Sequence, residues 1–310
     1  MSRPRGNPDG QSPEAATGSA EVTYPLMIVG TAIGGWQPSG NLAHARGESM
    51  EYSVRVLSVG ESLIAGPEVF WMSRWDEIYP LGFNVTLVQG GDITALVNAS
   101  PPDDTTMVEE GWPSMRYLHD APKGDLKRRP EHYMIGALET VGLTPDDITH
   151  LLLTPLELYT TGTLHLFGTA QVCIAKRGWI HFHTTHDHPH DDRWRSIPKD
   201  TLVDLVTDSW DRVRLLEDED EIAPGLRTWW SGAHHRESIV VEVDTAVGTV
   251  AISDSYFFYE NVEDGEMLGL CENMYEALEC YERVRNTAQH IVPIHDVKVF
   301  DRYPDGVIAP

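Results

Sequence analysis

Three short stretches of this 310-residue chain carry side chains able to do chemistry. One is Val292-Pro293-Ile294-His295-Asp296, near the C-terminus. Another is Gly232-Ala233-His234-His235-Arg236-Glu237-Ser238, ahead of the apolar run Ile239 to Val243. The third is Ala251-Ile252-Ser253-Asp254. In each, a hydrophobic strand delivers a His or an Asp to the loop that follows or precedes it, and rigid strands that support functional loops are a common way to build a site. Imidazoles and carboxylates converging in this way can hold a metal or move protons. Singly, each His after a strand reads equally well as a packing or surface residue.

The elements that must position these residues follow from local pattern. Tyr52 to Val59 reads as a strand with imperfect alternation. Phe83, Val85 and Leu87 alternate, Gln89-Gly90-Gly91-Asp92 turns, and Ile93, Ala95 and Val97 alternate again, which predicts a hairpin. Pro130 to Val141 reads as a helix closed by Gly142. Thr144-Pro145-Asp146-Asp147 is a helix start: Thr144 caps, Pro145 suits the first turn, and the Asp residues favour the positive end. His150 to Leu153 reads as a buried strand, Val172 to Ala175 as another short strand, and Leu202 to Trp210 as a helix. Val213 to Leu216 and Gly225 to Trp230 are expected to pair antiparallel around an acidic loop. Ile239 to Val243 and Thr249 to Ile252 form a further hairpin. Met274, Ala277, Leu278, Tyr281 and Val284 mark an amphipathic helix, and Ile291 to Ile294 is expected to be the last strand.

A length of 310 residues with 41% apolar composition is enough for a substantial core. We expect residues 1–21 to be a disordered tail and residues 22–310 to form one layered α/β domain of two packed sheets with helices outside. The N-terminal stretch lacks the apolar core of a signal peptide, and no run reaches the ~18 apolar residues that span a bilayer. Cys173, Cys271 and Cys280 make no disulfide framework, so a cytoplasmic setting is expected. The net charge of -25 repels phosphates and anionic membranes, which argues against nucleic-acid or membrane partners.

The order of these pieces resembles the metallo-beta-lactamase superfamily, and within it the branch of N-acyl homoserine lactonases. The similarity runs from about Val54 to Tyr303. It rests on the Gly-Gly hairpin, the Asp146-Asp147-Ile148-Thr149-His150 lead-in, Ala223-Pro224-Gly225, the Gly232 to Ser238 loop, Ser253-Asp254 and Ile291 to Asp296. The resemblance implies an αββα sandwich: two mixed sheets face to face, helices outside, and metals at one edge between the sheets.

The expected ligand loop departs from the family pattern. That pattern places His-x-His-x-Asp-His after the strand ending in Thr154. Here Pro155, Glu157, Tyr159 and Thr160 stand at those ligand positions, and Asn98 replaces the Asp usual after an early strand. Pro155 has no ligand atom, Thr160 is a poor one, and Glu157 is a credible oxygen donor. His234, Asp254 and His295 match the remaining positions.

Three readings follow. Glu157, His234, Asp254 and His295 hold a single divalent metal, for which Zn, Fe and Mn are chemically equivalent choices. Or the pocket works without metal, by proton transfer and hydrogen bonding from Glu157, Tyr159, His234, Asp254 and His295. Or the domain binds a small molecule or a protein and catalyses nothing. Under the catalytic readings, an activated water attacks the carbonyl of a small substrate such as a cyclic ester or amide, and Tyr159 stabilises the oxyanion or protonates the leaving group.

Aromatic residues supply candidate walls for a small-molecule site: Trp71, Trp179, Trp194, Tyr256 and Phe257. The segment His181 to Asp192 carries five histidines and reads as a polar loop at the rim, with a rescue metal ligand as the alternative. By family analogy the chain is expected to be a homodimer, with the aromatic segment Phe70 to Leu81 as the candidate contact.

Overall fold

The computed structural model describes residues 51–109, 128–184 and 193–310. The expected tail over residues 1–21, the start of structure at Val22, and His186, His188 and His190 lie outside these residues.

Among the described residues, twelve strands form two mixed sheets. They are β1 (Ser53–Ala65), β2 (Ile78–Gly90), β3 (Ile93–Val97), β4 (His150–Leu152), β5 (Gln171–Ala175), β6 (Val213–Leu216), β7 (Glu219–Ala223), β8 (Leu226–Trp230), β9 (Ile239–Thr245), β10 (Gly248–Ser253), β11 (His290–Pro293) and β12 (Val307–Ala309). The larger sheet runs β12-β1-β2-β3-β4-β5-β6, and the smaller runs β11-β10-β9-β8-β7. The Gly-Gly hairpin forms as expected: Gly90 pairs with Ile93 across the turn at Gly91-Asp92, where Gly91 takes a positive φ of 54°.

Alternation along the strands sorts the core into layers. Val54, Val56, Val88, Val97 and Leu152 from the larger sheet meet Ile239, Val241, Val243, Val250, Ile252 and Val292 from the smaller. Neighbouring residues point the other way. Phe83, Val85, Leu87 and Leu96 pack under outer helices with Met134, Leu138, Phe182 and Leu205. On the far face, Val240 and Ala251 pack against Ala277, Cys280, Tyr281 and Val284 of the helix Met274–Thr287. Each such buried side chain contributes about 1.5–3 kcal/mol. The architecture is the expected αββα sandwich.

Four expectations at element level change. Val213–Leu216 does not pair with Gly225–Trp230. It joins the edge of the larger sheet, parallel to β5, with Val172 opposite Val213. The acidic run after it is a strand, not a loop: Glu219–Ala223 pairs antiparallel with β8 at the edge of the smaller sheet. Carboxylates along an edge strand deter further strand addition, and Glu219 and Glu221 are exposed. The helix Met274–Thr287 turns Ala277, Cys280, Tyr281 and Val284 inward, while Met274 and Leu278 are 39% and 46% exposed. Finally, β11 is not the last strand, because β12 returns to pair with β1.

Candidate functional site

All the expected chemistry-bearing loops meet at one end of the sandwich. Beyond β4 the chain runs through Leu153 and Thr154 to a cis peptide at Pro155, and Glu157 then stands just before a short helix, Leu158–Thr161. Thr160 stitches this loop shut. Its hydroxyl donates to the carbonyls of Pro155 (2.7 Å) and Glu157 (2.9 Å), and its carbonyl accepts from Ala99 N (2.7 Å). Asn98 has the same kind of role: Thr154 N donates to its Oδ1 at 2.8 Å, and its Nδ2 donates to Thr154 O at 3.0 Å. Residues that stand at ligand positions of the family pattern therefore bind backbone.

Asp254 follows β10 and is fully buried. Thr154 Oγ1 donates to its Oδ1, and Ser238 Oγ donates to its Oδ2 at 2.5 Å. Burial pushes its pKa up to about 6, against the opposing pull of the Ser238 and Thr154 hydroxyls and of His235. Both carboxylate oxygens are thus engaged by hydroxyls from neighbouring strand ends.

His295 follows β11 and donates its Nδ1–H to Gly82 O at 2.9 Å, which places the imidazole lone pair on Nε2. Burial lowers its pKa to about 4, only partly opposed by the Gly82 carbonyl. His234 Nδ1 lies 2.6 Å from Leu270 O. Aromatic and imidazole rings form a continuous row here. Tyr159 and His295 have centroids 5.2 Å apart, His295 and Phe257 4.5 Å, Phe257 and His234 4.8 Å, and His234 and His235 4.1 Å.

The strongest charge cluster centres on His235, the second His of its loop. Its Nε2 lies 3.1 Å from Glu157 Oε1 and its Nδ1 lies 3.4 Å from Glu272 Oε1, with all three side chains buried. Burial alone would lower the His235 pKa, but Glu157 and then Glu272 hold it well above the ordinary value. Glu237 is buried beside this cluster, and burial raises its pKa to about 8, so near neutral pH it carries its proton. The site thus contains a charged imidazole between carboxylates, with an adjacent neutral carboxylic acid.

The sequence reading named Glu157 as a metal ligand or proton-transfer group; the structure places it against His235. His235 was visible in the His-His pair, whereas Glu272 sits in no recognisable motif and reaches the site only through the fold. The expected single-metal set does not come together as a ligand group. Among the described residues no three His, Cys, Asp or Glu side chains group so that they could hold a metal ion, and Glu157, His234, Asp254 and His295 are no exception. Asp254 oxygens face hydroxyls and Glu157 faces His235, whereas the carbonyl contacts of His234 and His295 are at Nδ1 and so do not occupy Nε2. As arranged, the carboxylates are turned to other partners and the four side chains form no ligand group.

The expected aromatic walls disperse. Trp71 is 51% exposed, Tyr256 is buried in the core under the helix Met274–Thr287, and Trp179 stacks on His183 at 4.5 Å. Phe257 does touch the His row. Trp194 lines a cavity of about 630 Å³, together with Pro101, Pro102, Leu158, Thr161 and Thr163. That cavity adjoins the segment following Glu157 but is not lined by Glu157, His234, His235, Asp254 or His295.

No protein-family model matches the sequence, and no curated protein matches it. Solved structures do. An N-acyl homoserine lactone hydrolase, solved with N-hexanoyl-L-homoserine bound at its catalytic metal center, superposes with a TM-score of 0.64 at 16% identity, over 82% of this chain and 96% of that one. This chain has the fold of that hydrolase. A probable metal-dependent hydrolase from Staphylococcus aureus gives a TM-score of 0.61 at 16% identity, over 79% and 90% of the two chains. The dizinc quorum-quenching lactonase AidC gives 0.56 at 11% identity, over 84% and 94%. At these identities the likeness is one of fold. None of the described helices is long and apolar enough to cross a membrane.

Proposed function

We propose that this protein is a metal-independent, small-molecule-binding member of the metallo-beta-lactamase fold, with binding rather than hydrolysis as its activity. The observation that carries the reading is the filled catalytic edge. Glu157, His234, His235, Asp254 and His295 are each at most 3% exposed, and both Asp254 oxygens, Glu157 Oε1 and the Nδ1 atoms of His234 and His295 are directed at hydroxyls, at His235 or at carbonyls. A substrate carbonyl and an attacking water need room beside the base.

Proton-transfer strength points the same way. A general base works best with a pKa near the working pH. His295, lowered to about 4, is a weak base at neutral pH, and Asp254 already accepts from hydroxyls on both oxygens. The metal-free hydrolase reading keeps the right residue types but buries its candidate bases, Asp254 and His295.

The ligand site in this reading is the 630 Å³ cavity, a size typical of small-molecule pockets. Apolar Leu158, Leu164 and Trp194 line it beside polar Asp103, His165 and Lys199. Small carbonyl compounds, cyclic esters and amides first, are the candidate ligands because of the lactonase fold. The exposed Trp71 and Trp75 also support a homodimer through the segment Phe70 to Leu81, testable by light scattering.

The deciding experiment titrates N-hexanoyl homoserine lactone and related lactones while product is followed by mass spectrometry. Saturable binding without ring opening, weakened by Trp194→Ala, supports the reading. Turnover abolished by His295→Ala with folding intact would overturn it in favour of acid-base hydrolysis.

A further inference from the structure

A second pocket, lined in part by Gly82, whose carbonyl accepts from His295, is bordered by residues with polar atoms that the fold leaves unsatisfied. It measures about 520 Å³, and its walls include Ser58, Gly60, Glu61, Asn84, Arg128 and His132. The β1–β2 ladder is irregular here. Ser58 pairs with Asn84 and Gly60 with Phe83, so Val59 is the extra residue of a bulge. Bulges re-aim backbone and side chains and are over-represented beside binding sites.

Asn84 is 5% exposed, yet neither its Nδ2 nor its Oδ1 has a hydrogen-bond partner. Arg128 has a side chain only 1% exposed. Its Nε donates to Val59 O of the bulge at 3.1 Å, and its Nη1 donates to Pro102 O, so the guanidinium is fixed. Its Nη2 is buried without a partner. His132 Nε2 lies 3.1 Å from Arg129 Nη2, which can only donate, so the proton of a neutral His132 sits on Nδ1. That Nδ1 is likewise buried without a partner.

Each buried polar group left unmade costs about 1–3 kcal/mol, and buried polar groups in proteins are otherwise nearly always satisfied. Four such atoms, on three residues that line one pocket, point to a ligand. The inventory defines its chemistry. Arg128 Nη2 and His132 Nδ1–H are donors, which suits the two oxygens of a carboxylate. Asn84 offers a donor and an acceptor side by side, which suits another amide. Glu61 in the same wall, and a chain charge of -25, disfavour a dianion such as phosphate.

We propose that this pocket binds a small organic acid that carries an amide group. It is separate from the Trp194 cavity and does not depend on what that cavity binds.

The test is calorimetric titration of the full chain with N-acetylglycine, with acetate, acetamide and inorganic phosphate as comparators. Saturable binding of N-acetylglycine is expected, at least about tenfold tighter than any comparator, a factor equal to about 1.4 kcal/mol. Asn84→Asp places a like charge at the amide position, and His132→Ala removes one carboxylate donor. Each is expected to weaken binding about tenfold or more, with the thermal midpoint kept as a check on folding. Trp194→Ala should change nothing. Absence of saturable binding by the wild-type chain, leaving water as the only occupant, would overturn the proposal. So would binding unaffected by both pocket variants, or phosphate binding as tightly as N-acetylglycine.

Discussion

His235 Nε2 stands 3.1 Å from Glu157 Oε1, both side chains buried, and Glu272 closes on the other ring nitrogen at 3.4 Å. The arrangement makes the loop after β4 one arm of an ion cluster. Removing one partner of a buried pair leaves an uncompensated charge and costs about 3–5 kcal/mol. Glu157→Ala is therefore expected to lower stability by roughly that amount, read from the urea midpoint. A loss below about 1 kcal/mol would show that the pair behaves like an exposed one.

Thr154 Oγ1 has several duties at once: it donates to Asp254 Oδ1, lies 3.1 Å from Ile239 O, and accepts from Ile239 N at 2.9 Å. Thr154→Val keeps the shape and deletes all of them. Two buried groups, Asp254 Oδ1 and Ile239 N, lose a partner, so a cost of about 2–6 kcal/mol is expected. The Asp254 carboxyl, already raised to about 6 by burial, should titrate higher still because a stabilising donor is gone. Carboxyl carbon NMR against pH measures this directly, and an unchanged midpoint would refute the role given to Thr154.

Glu237 sets a pH dependence with a definite sign. Its pKa is raised from 4.5 to about 8 by burial, so the folded chain holds the proton more tightly than the unfolded chain. Stability from this group is complete below the ordinary carboxyl value and is lost as pH rises through the folded one. His235, also raised, acts in the same direction, its contribution fading as pH climbs through its folded pKa. Glu237→Gln mimics the protonated acid. The variant should show a flatter stability profile between about pH 5 and about pH 8 and exceed the wild type at the upper end. Chemical denaturation across this range checks it, and parallel profiles for the two proteins would rule it out.

Much of the fold was legible because period-2 alternation survives in the strands that matter. Phe83, Val85 and Leu87 face the outer helices while Val88 faces the other sheet, and the Gly90-Gly91 turn fixes their register. The acidic strand Glu219–Ala223 was not legible, since its charges obscure a pairing that depends on backbone alone. At the site, the substitutions at Pro155, Tyr159 and Thr160 announced a changed metal edge. Where the hydroxyls of Thr154 and Ser238 would point was invisible, because both aim across strands at Asp254, far along the chain. Glu272 reaches His235 from a loop with no chemical signature of its own.

The metal-independent reading, in which Glu157, His234, Asp254 and His295 share no ion, predicts a null response to metal. A ligand that binds only the folded state at a hundred times its Kd adds about 2.7 kcal/mol. Micromolar Zn, Fe or Mn should leave the unfolding midpoint unchanged, chelator should do the same, and elemental analysis should find substoichiometric metal. Stoichiometric metal that disappears in His234→Ala would reverse the conclusion.

Gly178 lies in the helix Lys176–Thr184, which packs on the loop bearing the His pair. A Cβ there would sit 2.5 Å from Glu237 Cα and 2.6 Å from Arg236 O. Helix propensity favours Ala over Gly by about 0.8–1 kcal/mol, so an unobstructed Gly178→Ala would stabilise. The obstacle, however, is backbone, and that backbone is tied by Ser238 N to His235 O at 3.0 Å and leads directly into β9. Overpacking of this kind costs about 1–3 kcal/mol, enough to reverse the sign. Gly178→Ala is expected to destabilise by about 1–2 kcal/mol and to disturb the Glu237 titration, since the displaced atoms are its own. A stabilised variant with an unaltered Glu237 midpoint would mean that the helix slides freely over the loop and does not hold the His235 cluster in place.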